Sequence, residues 1–254
     1  MSGGHSERVP PDVGLMTLNA TLVLKSETLK KLPNFYNSLK WFRNYRKKHN
    51  EYLAIEDFKE GEDILLSLVP KERMKRLLNA LMDEKEFLAP NGIRALSKIH
   101  EDPYVVHIEG QAFDVKYDPA ESSTYLFGGN SNWRGPIWMP MNFLIIQALK
   151  EYHSYYGDDF KIEVNSSESP LNLIQLADEL SNRLVNIFRK DENGDRPVNA
   201  IHKNIYQDEH FKDLILFYEY FHGDTGRGVG ATHQTGWTGV VATLIDESCW
   251  DKKS

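Results

Sequence analysis

Apolar residues recur at intervals of three and four along five stretches of the chain, the spacing of one helix face. In residues 28–45 the face is Leu32, Phe35, Leu39 and Phe42, with Pro33 near the start, where its missing N–H costs least. In residues 71–82 it is Met74, Leu77, Leu78 and Leu81, and in residues 140–152 it is Phe143, Ile146 and Leu149. The clearest pattern lies in residues 171–189, where Leu173, Ala177, Leu180, Leu184 and Ile187 align. There Ser169 reads as the N-cap, Pro170 as the first helical position and residues 191–194 (Asp-Glu-Asn-Gly) as the stop. A last helix is predicted from about Gly236, carrying Val240, Val241 and Leu244. Residues 104–117 alternate instead, which predicts a hairpin turning at Glu109-Gly110. The expected fold class is mostly α with small β insertions.

Between these segments lie loops that are long and rich in Gly, Asn, Asp and aromatic residues. Residues 128–138 and 222–237 are too aromatic for linkers and predict ordered loops at the mouth of a pocket. The first holds Trp133, Arg134 and Trp138, followed by Asn142. Indole faces stack on the C–H faces of sugar rings while their N–H edges donate. A guanidinium suits sugar hydroxyls or the fixing of a carboxylate. Each tryptophan alone is as readily a core plug, but the run as a whole favours a site.

The second run holds Glu219 among Phe217, Tyr218, Tyr220 and Phe221. A carboxylate so placed has a tunable pKa and suits a general base that deprotonates water. Gly226, Gly228 and Gly230 superficially resemble a phosphate loop, but no strand pattern precedes them and no Lys-Ser/Thr follows, so a nucleotide site is excluded. His222 and His233 lack metal-ligand spacing, and neither a metal nor any other cofactor is expected. Asp224 reads as a site carboxylate or an ordinary Asp-Thr-Gly turn, and Arg94 as a structural pairing residue.

Composition narrows the classes further. The net charge is −7 over 254 residues, against a nucleic-acid binder. No run approaches the roughly 20 apolar residues of a membrane span. Residues 1–10 lack the apolar core of a secretory signal, and Cys249 is the lone cysteine, features that suit a reducing, cytoplasmic setting. Residues 1–12 are expected to be poorly ordered.

The order of these motifs resembles glycoside hydrolase family 63. The resemblance rests on residues 75–78 (Lys-Arg-Leu-Leu), residues 92–97 (Gly-Ile-Arg-Ala-Leu-Ser), the 128–138 run, Tyr218-Glu219-Tyr220 and residues 233–239 (His-Gln-Thr-Gly-Trp-Thr-Gly). Trehalases share an echo of the tryptophan elements. The resemblance spans roughly residues 13–245 and implies an (α/α)6 toroid of the six-hairpin glycosidase kind, with 13–254 forming the C-terminal part of its catalytic domain. It implies inverting hydrolysis of α-glucosidic or related bonds, with a carbohydrate as partner. Glu219 maps onto the general base, Trp133 and Arg134 onto the pocket wall, and Trp138, Trp237 and Asn142 onto the substrate site. The family's general acid is an Asp upstream of the region matching residue 13, so the chain is expected to be inactive alone. The alternatives are a non-catalytic carbohydrate binder and a complementing half that associates through an exposed barrel edge.

Overall fold

A computed structural model describes residues 15–49, 55–56, 59, 61–124, 131–165 and 167–250. The expected order of residues 1–12 and the glycines at 128 and 129 lie outside these. The described chain consists of helices joined by short antiparallel strand pairs. Helix α1 (Ser26–Lys31) and helix α2 (Pro33–Lys48) follow strand β1 (Thr21–Leu24). The single helix predicted over residues 28–45 is therefore two. Proline disfavours helical geometry in the residue before it, and Leu32 leaves the helix (φ −124°, ψ 61°) so that Pro33 opens α2.

Strands β2 (Ile55–Glu56) and β3 (Ile64–Ser67) complete a three-stranded antiparallel sheet in the order β1-β3-β2. Helix α3 (Lys71–Leu81) buries Met74, Leu78 and Leu81, as its spacing predicts. Strands β4 (Leu88–Ala89) and β5 (Gly92–Ile93) pair, as do β6 (Tyr104–Ile108) and β7 (Gln111–Val115). The second pair is the predicted hairpin. Glu109 (φ 51°) and Gly110 (φ 80°) supply the two left-handed turn residues it requires.

The centre of the molecule is helix α4 (Met139–Tyr156) packed on helix α5 (Leu173–Asn186). Gly157 (φ 65°) ends α4. The start of α5 differs from the prediction. Asn172, not Ser169, is the cap: its side chain accepts from Gln175 N while the Gln175 side chain accepts from Asn172 N, both at 2.9 Å. The preceding residues form β9 (Leu171–Asn172), paired with β8 (Lys161–Ile162), which pulls Pro170 out of the helix.

Ile146, Leu149 and Tyr152 of α4 and Leu173, Leu176, Leu180 and Leu184 of α5 are all fully buried in one continuous core. Helix α3 adds Met74 and Leu78 to that core, and helix α8 (Val241–Trp250) adds Val241 and Leu244. The Tyr152 hydroxyl meets Ser67 Oγ at 2.7 Å and ties the sheet to α4. The C-terminal helix predicted from Gly236 is broken into α7 (Thr235–Thr238) and α8, which follow the short helix α6 (Lys203–Tyr206) and the pair β10 (Tyr220–Phe221) and β11 (Gly228–Val229). Among the described residues, no helix is long and apolar enough to cross a membrane.

Candidate active site

Three distant runs meet in one row of backbone pairs. Arg94 bridges Ile137, Ile137 bridges Phe221, and Phe221 pairs with Gly228. Ile137 N donates to Phe221 O at 2.8 Å and Phe221 N returns to Ile137 O at 2.9 Å, while Ala95 N donates to Pro136 O at 2.9 Å. This row brings the tryptophan run beside the strand that follows Glu219.

Asn142 locks the arrangement. It lies in the first turn of α4 and is buried. Its Oδ1 accepts from Ile93 N at 2.6 Å, and its Nδ2 donates to Ile93 O and Trp138 O, each at 3.0 Å. The amide thus clamps β5 to the tryptophan run, and its hydrogen bonds go to the backbone. Arg134 is likewise buried and turned into protein. It donates to Asp118 Oδ2 at 3.0 Å, to Ser122 and Thr124 hydroxyls at 2.9 Å and to Asn132 at 3.3 Å. Of the two uses a guanidinium offers, the one seen is the fixing of a carboxylate.

The aromatic residues form a stack. Trp138 lies parallel to Trp133 (centroids 3.8 Å, 3°) and stacks on Tyr220 (4.8 Å, 25°), with Trp237 meeting its edge at 6.2 Å and 89°. Trp138 and Tyr220 are buried, and the Trp138 indole N–H donates to Asn132 O at 3.1 Å. Trp133 remains 39% exposed, so the stack ends in one indole plane open to solvent. An apolar cavity of about 220 Å³ opens beside it, lined in part by Ile93, Trp138, Met141 and Ile145. That cavity does not include Glu219, and the two polar side chains in its lining, Arg94 and Asn142, are hydrogen-bonded to the protein itself rather than aimed at a sugar.

Glu219 immediately precedes β10 and is half-buried. Its N–H donates to Ala231 O at 2.8 Å, and Ala231 N donates weakly to its Oε2 at 3.4 Å. Gly230 (φ +74°) makes room for it: a Cβ there would fall 2.8 Å from Glu219 Oε2 and from the Tyr220 ring. Burial first, and then the negative charge of Glu219, push the Tyr220 hydroxyl up to about 12. Tyr220 is thus a neutral hydroxyl at neutral pH and not a base.

Around this core stand three carboxylates, each held by an arginine. Glu121 takes Arg227 on both oxygens, at 3.0 and 2.6 Å. Asp118 takes Arg134, and Asp224 takes Arg94 at 3.2 Å. Arg94 also donates to Leu88 O and to the Tyr117 hydroxyl at 3.1 Å, and that hydroxyl donates to Asp224 at 3.1 Å. Burial disfavours the charge of Asp224, but Lys98 and Arg94 outweigh it and its carboxyl sits below the ordinary value. The Arg227 hydrogen bond does the same for Glu121, against burial. Burial lowers His222, whose Nδ1 accepts from Asp224 N at 3.1 Å. Among the described residues, no group of three or more His, Cys, Asp or Glu is arranged to hold a metal.

Sequence reasoning reached Arg94 as a pairing residue but missed Asp118, Glu121 and Arg227. Asp118 and Glu121 lie in a loop with no periodicity, and the signal that could have found them is their nearness in sequence to the tryptophan run.

Comparison with known proteins agrees with the motifs. Residues 47–247 match the glycosyl hydrolase family 63 C-terminal domain. An uncharacterized protein of Saccharomyces cerevisiae is 45% identical over 96% of this chain and 23% of its own length. A protein of Schizosaccharomyces pombe named as a probable mannosyl-oligosaccharide glucosidase is 27% identical over 73% of this chain and 17% of its own. The mannosyl-oligosaccharide glucosidase of Saccharomyces cerevisiae is 23% identical over 77% of this chain and 18% of its own. The chain spans about a fifth of the length of these relatives. By the extent of the family match, this chain belongs to glycosyl hydrolase family 63.

Proposed function

We propose that this chain supplies the base half of an inverting α-glycosidase site, with Glu219 activating water and Trp133 forming one wall of the sugar subsite. The observation that carries the reading is the half-buried carboxylate of Glu219, which among the described residues has no arginine partner, next to the stack of Tyr220, Trp138 and Trp133. A base must be ionised and unblocked at working pH, whereas a general acid must hold its proton. Glu121, Asp118 and Asp224 are all paired with arginines, and Glu121 and Asp224 are held below the ordinary carboxylate range. None of these three suits the role of proton donor.

The donor then comes from polypeptide outside the described residues, facing Glu219 across the roughly 6.5–9.5 Å that inversion requires. The architecture that would bring it there is an (α/α)6 toroid to which these helices contribute. The substrate class is an α-glucosyl oligosaccharide, in keeping with the names of the two glucosidase relatives. Arg134 and Asn142 act as supports: they fix the loop and strand that present Trp133 and Trp138. Trp237 supports Trp138 from its edge.

The test is Glu219→Gln in the protein assembled with its full catalytic polypeptide. Release of glucose from an α-glucosyl oligosaccharide is expected to stop while the melting temperature holds, and NMR of the wild-type product is expected to show the β-anomer first. Near-normal turnover by the Glu219→Gln variant would remove Glu219 from the chemistry.

A further inference from the structure

Strands β10 and β11 are joined by residues 222–227. Two backbone bonds close that turn: His222 N donates to Arg227 O at 2.8 Å and Gly226 N to His222 O at 3.0 Å. A third bond comes from a side chain, where Asp224 N donates to His222 Nδ1 at 3.1 Å. Because the partner is an N–H, Nδ1 must carry a lone pair, so the neutral ring holds its proton on Nε2. An imidazolium carries a proton on both nitrogens and cannot accept this bond.

The turn holds more than itself. Asp224 takes Arg94 at 3.2 Å, Lys98 at 3.5 Å and the Tyr117 hydroxyl at 3.1 Å. Arg227 donates to both oxygens of Glu121, and Gly223 N donates to Pro119 O at 2.8 Å. There is little slack around it: a Cβ at Gly223 would fall 2.5 Å from Gly135 O, and one at Gly226 would fall 2.7 Å from the Asn91 side chain. The charged groups facing the imidazole are Asp224 and Arg227 of its own turn and Glu121 of the neighbouring loop. Both carboxylates are already engaged by arginines, so a protonated ring has to compete for them.

We infer that neutral His222 is the latch of this turn and that its protonation releases it, which makes His222 an acid-sensitive positioning residue for the strand pair that presents Glu219. On protonation Nδ1 stops accepting from Asp224 N and becomes a donor. The anions open to it are Asp224 and Glu121, and taking either weakens a clasp, that of Arg94 in the first case and that of Arg227 in the second. Gly230 and Ala231, which follow β11 and meet the Glu219 carboxylate, then lose their anchor. The closed turn resists the proton, in line with the lowered value of His222, so acid favours the open form. The latch is read from the turn alone; only its consequence for hydrolysis rests on the reading above of Glu219 as the base.

The test is NMR amide exchange in the full chain between about pH 7.5 and about pH 5, normalised to the intrinsic rate at each pH. Protection of the Asp224 N–H is expected to fall several-fold over that range, while the N–H groups of Leu149 and Leu180 in the core keep theirs. His222→Asn places a neutral oxygen at the δ position, where it accepts from the N–H two residues on as in an Asx turn, and should hold protection constant. His222→Ala should leave the Asp224 N–H unprotected already at the higher pH. Constant protection in the unchanged chain, or a loss that persists in His222→Asn, would overturn the proposal. A parallel loss at Leu149 and Leu180 would also overturn it, because the whole fold would then be opening. If the variants do not fold, the nitrogen-15 shifts of His222 in the unchanged chain decide. An Nε2–H tautomer at neutral pH that disappears in step with Asp224 protection supports the latch, and an Nδ1–H tautomer refutes it. None of these readouts measures hydrolysis, so they stand or fall separately from Glu219→Gln.

Discussion

Helices α2 and α5 have the same apolar periodicity and opposite surroundings. The face of α5 is aliphatic: Leu173, Leu176, Leu180 and Leu184 are at zero exposure against α4 and its neighbours. The face of α2 is aromatic and meets no core at all. Burying a leucine-sized side chain contributes about 1.5–3 kcal/mol, so α5 is held by its packing. Helix α2 buries no side chain, and its own hydrogen bonds, its proline start and Lys47 and Lys48 in its last turn contribute to holding it. A period of three and four therefore reports that a helix has a face. Whether that face is covered depends on what else is present.

The comparison breaks most readily by truncation. Leu180→Ala should cost about 2–5 kcal/mol in urea unfolding, because it opens a cavity in the fully buried core. Phe42→Ala, on an exposed face, should stay within about 0.5 kcal/mol in the same chain. Similar costs for the two would mean that α2 packs on the body as α5 does.

Next in size is Asn142→Ala, which asks whether the site itself belongs to the α5 type of environment. The substitution leaves the Ile93 N–H unpaired and takes the amide donor from Ile93 O, while Trp138 O keeps the backbone N–H of position 142. Each buried group left unmade costs about 1–3 kcal/mol, so a loss on the order of 3 kcal/mol is expected. A loss under about 1 kcal/mol would show that the clamp is dispensable. Trp133→Ala should be milder for stability, because its outer plane already faces solvent. Its effect belongs in sugar affinity, which should fall about 3–10-fold in calorimetric titration, the worth of one stacked aromatic face. Unchanged affinity would remove Trp133 from the subsite.

The features legible in the sequence are the local ones. Met74, Leu78 and Leu81 announced α3, and Glu109-Gly110 announced the hairpin, because each depends only on neighbours in the chain. The boundaries moved where a second local rule competed. Asn172 with Gln175 out-capped Ser169, and Pro33 split a continuous pattern at Leu32. At the site, residue types were legible but not their partners. Arg134 reads as a sugar donor until Asp118, Ser122 and Thr124 are seen to take its N–H groups, and no periodicity announces that loop. The meeting of Ile137 with Phe221 is a long-range backbone pairing that only the fold supplies.

The smallest expected effect is on the pH dependence of stability, and it probes the buried site a second way. Burial lowers His222 below its ordinary 6.5, and the opposing charges around it, Asp224 and Glu121 against Arg227, do not restore it. The unfolded chain therefore takes up a proton before the folded one does. Stability from this residue is full above pH 6.5 and declines as pH falls from there through the lowered value. Asp224 acts lower on the scale: its depressed carboxyl favours the folded state above 3.8 and loses that advantage as pH falls through the folded value. Thermal melts should thus show one shallow decline below about pH 6.5 and another below about pH 4, the second where carboxylates protonate. His222→Gln should flatten the first and leave the second. A first decline that survives His222→Gln unchanged would remove His222 from the pH dependence.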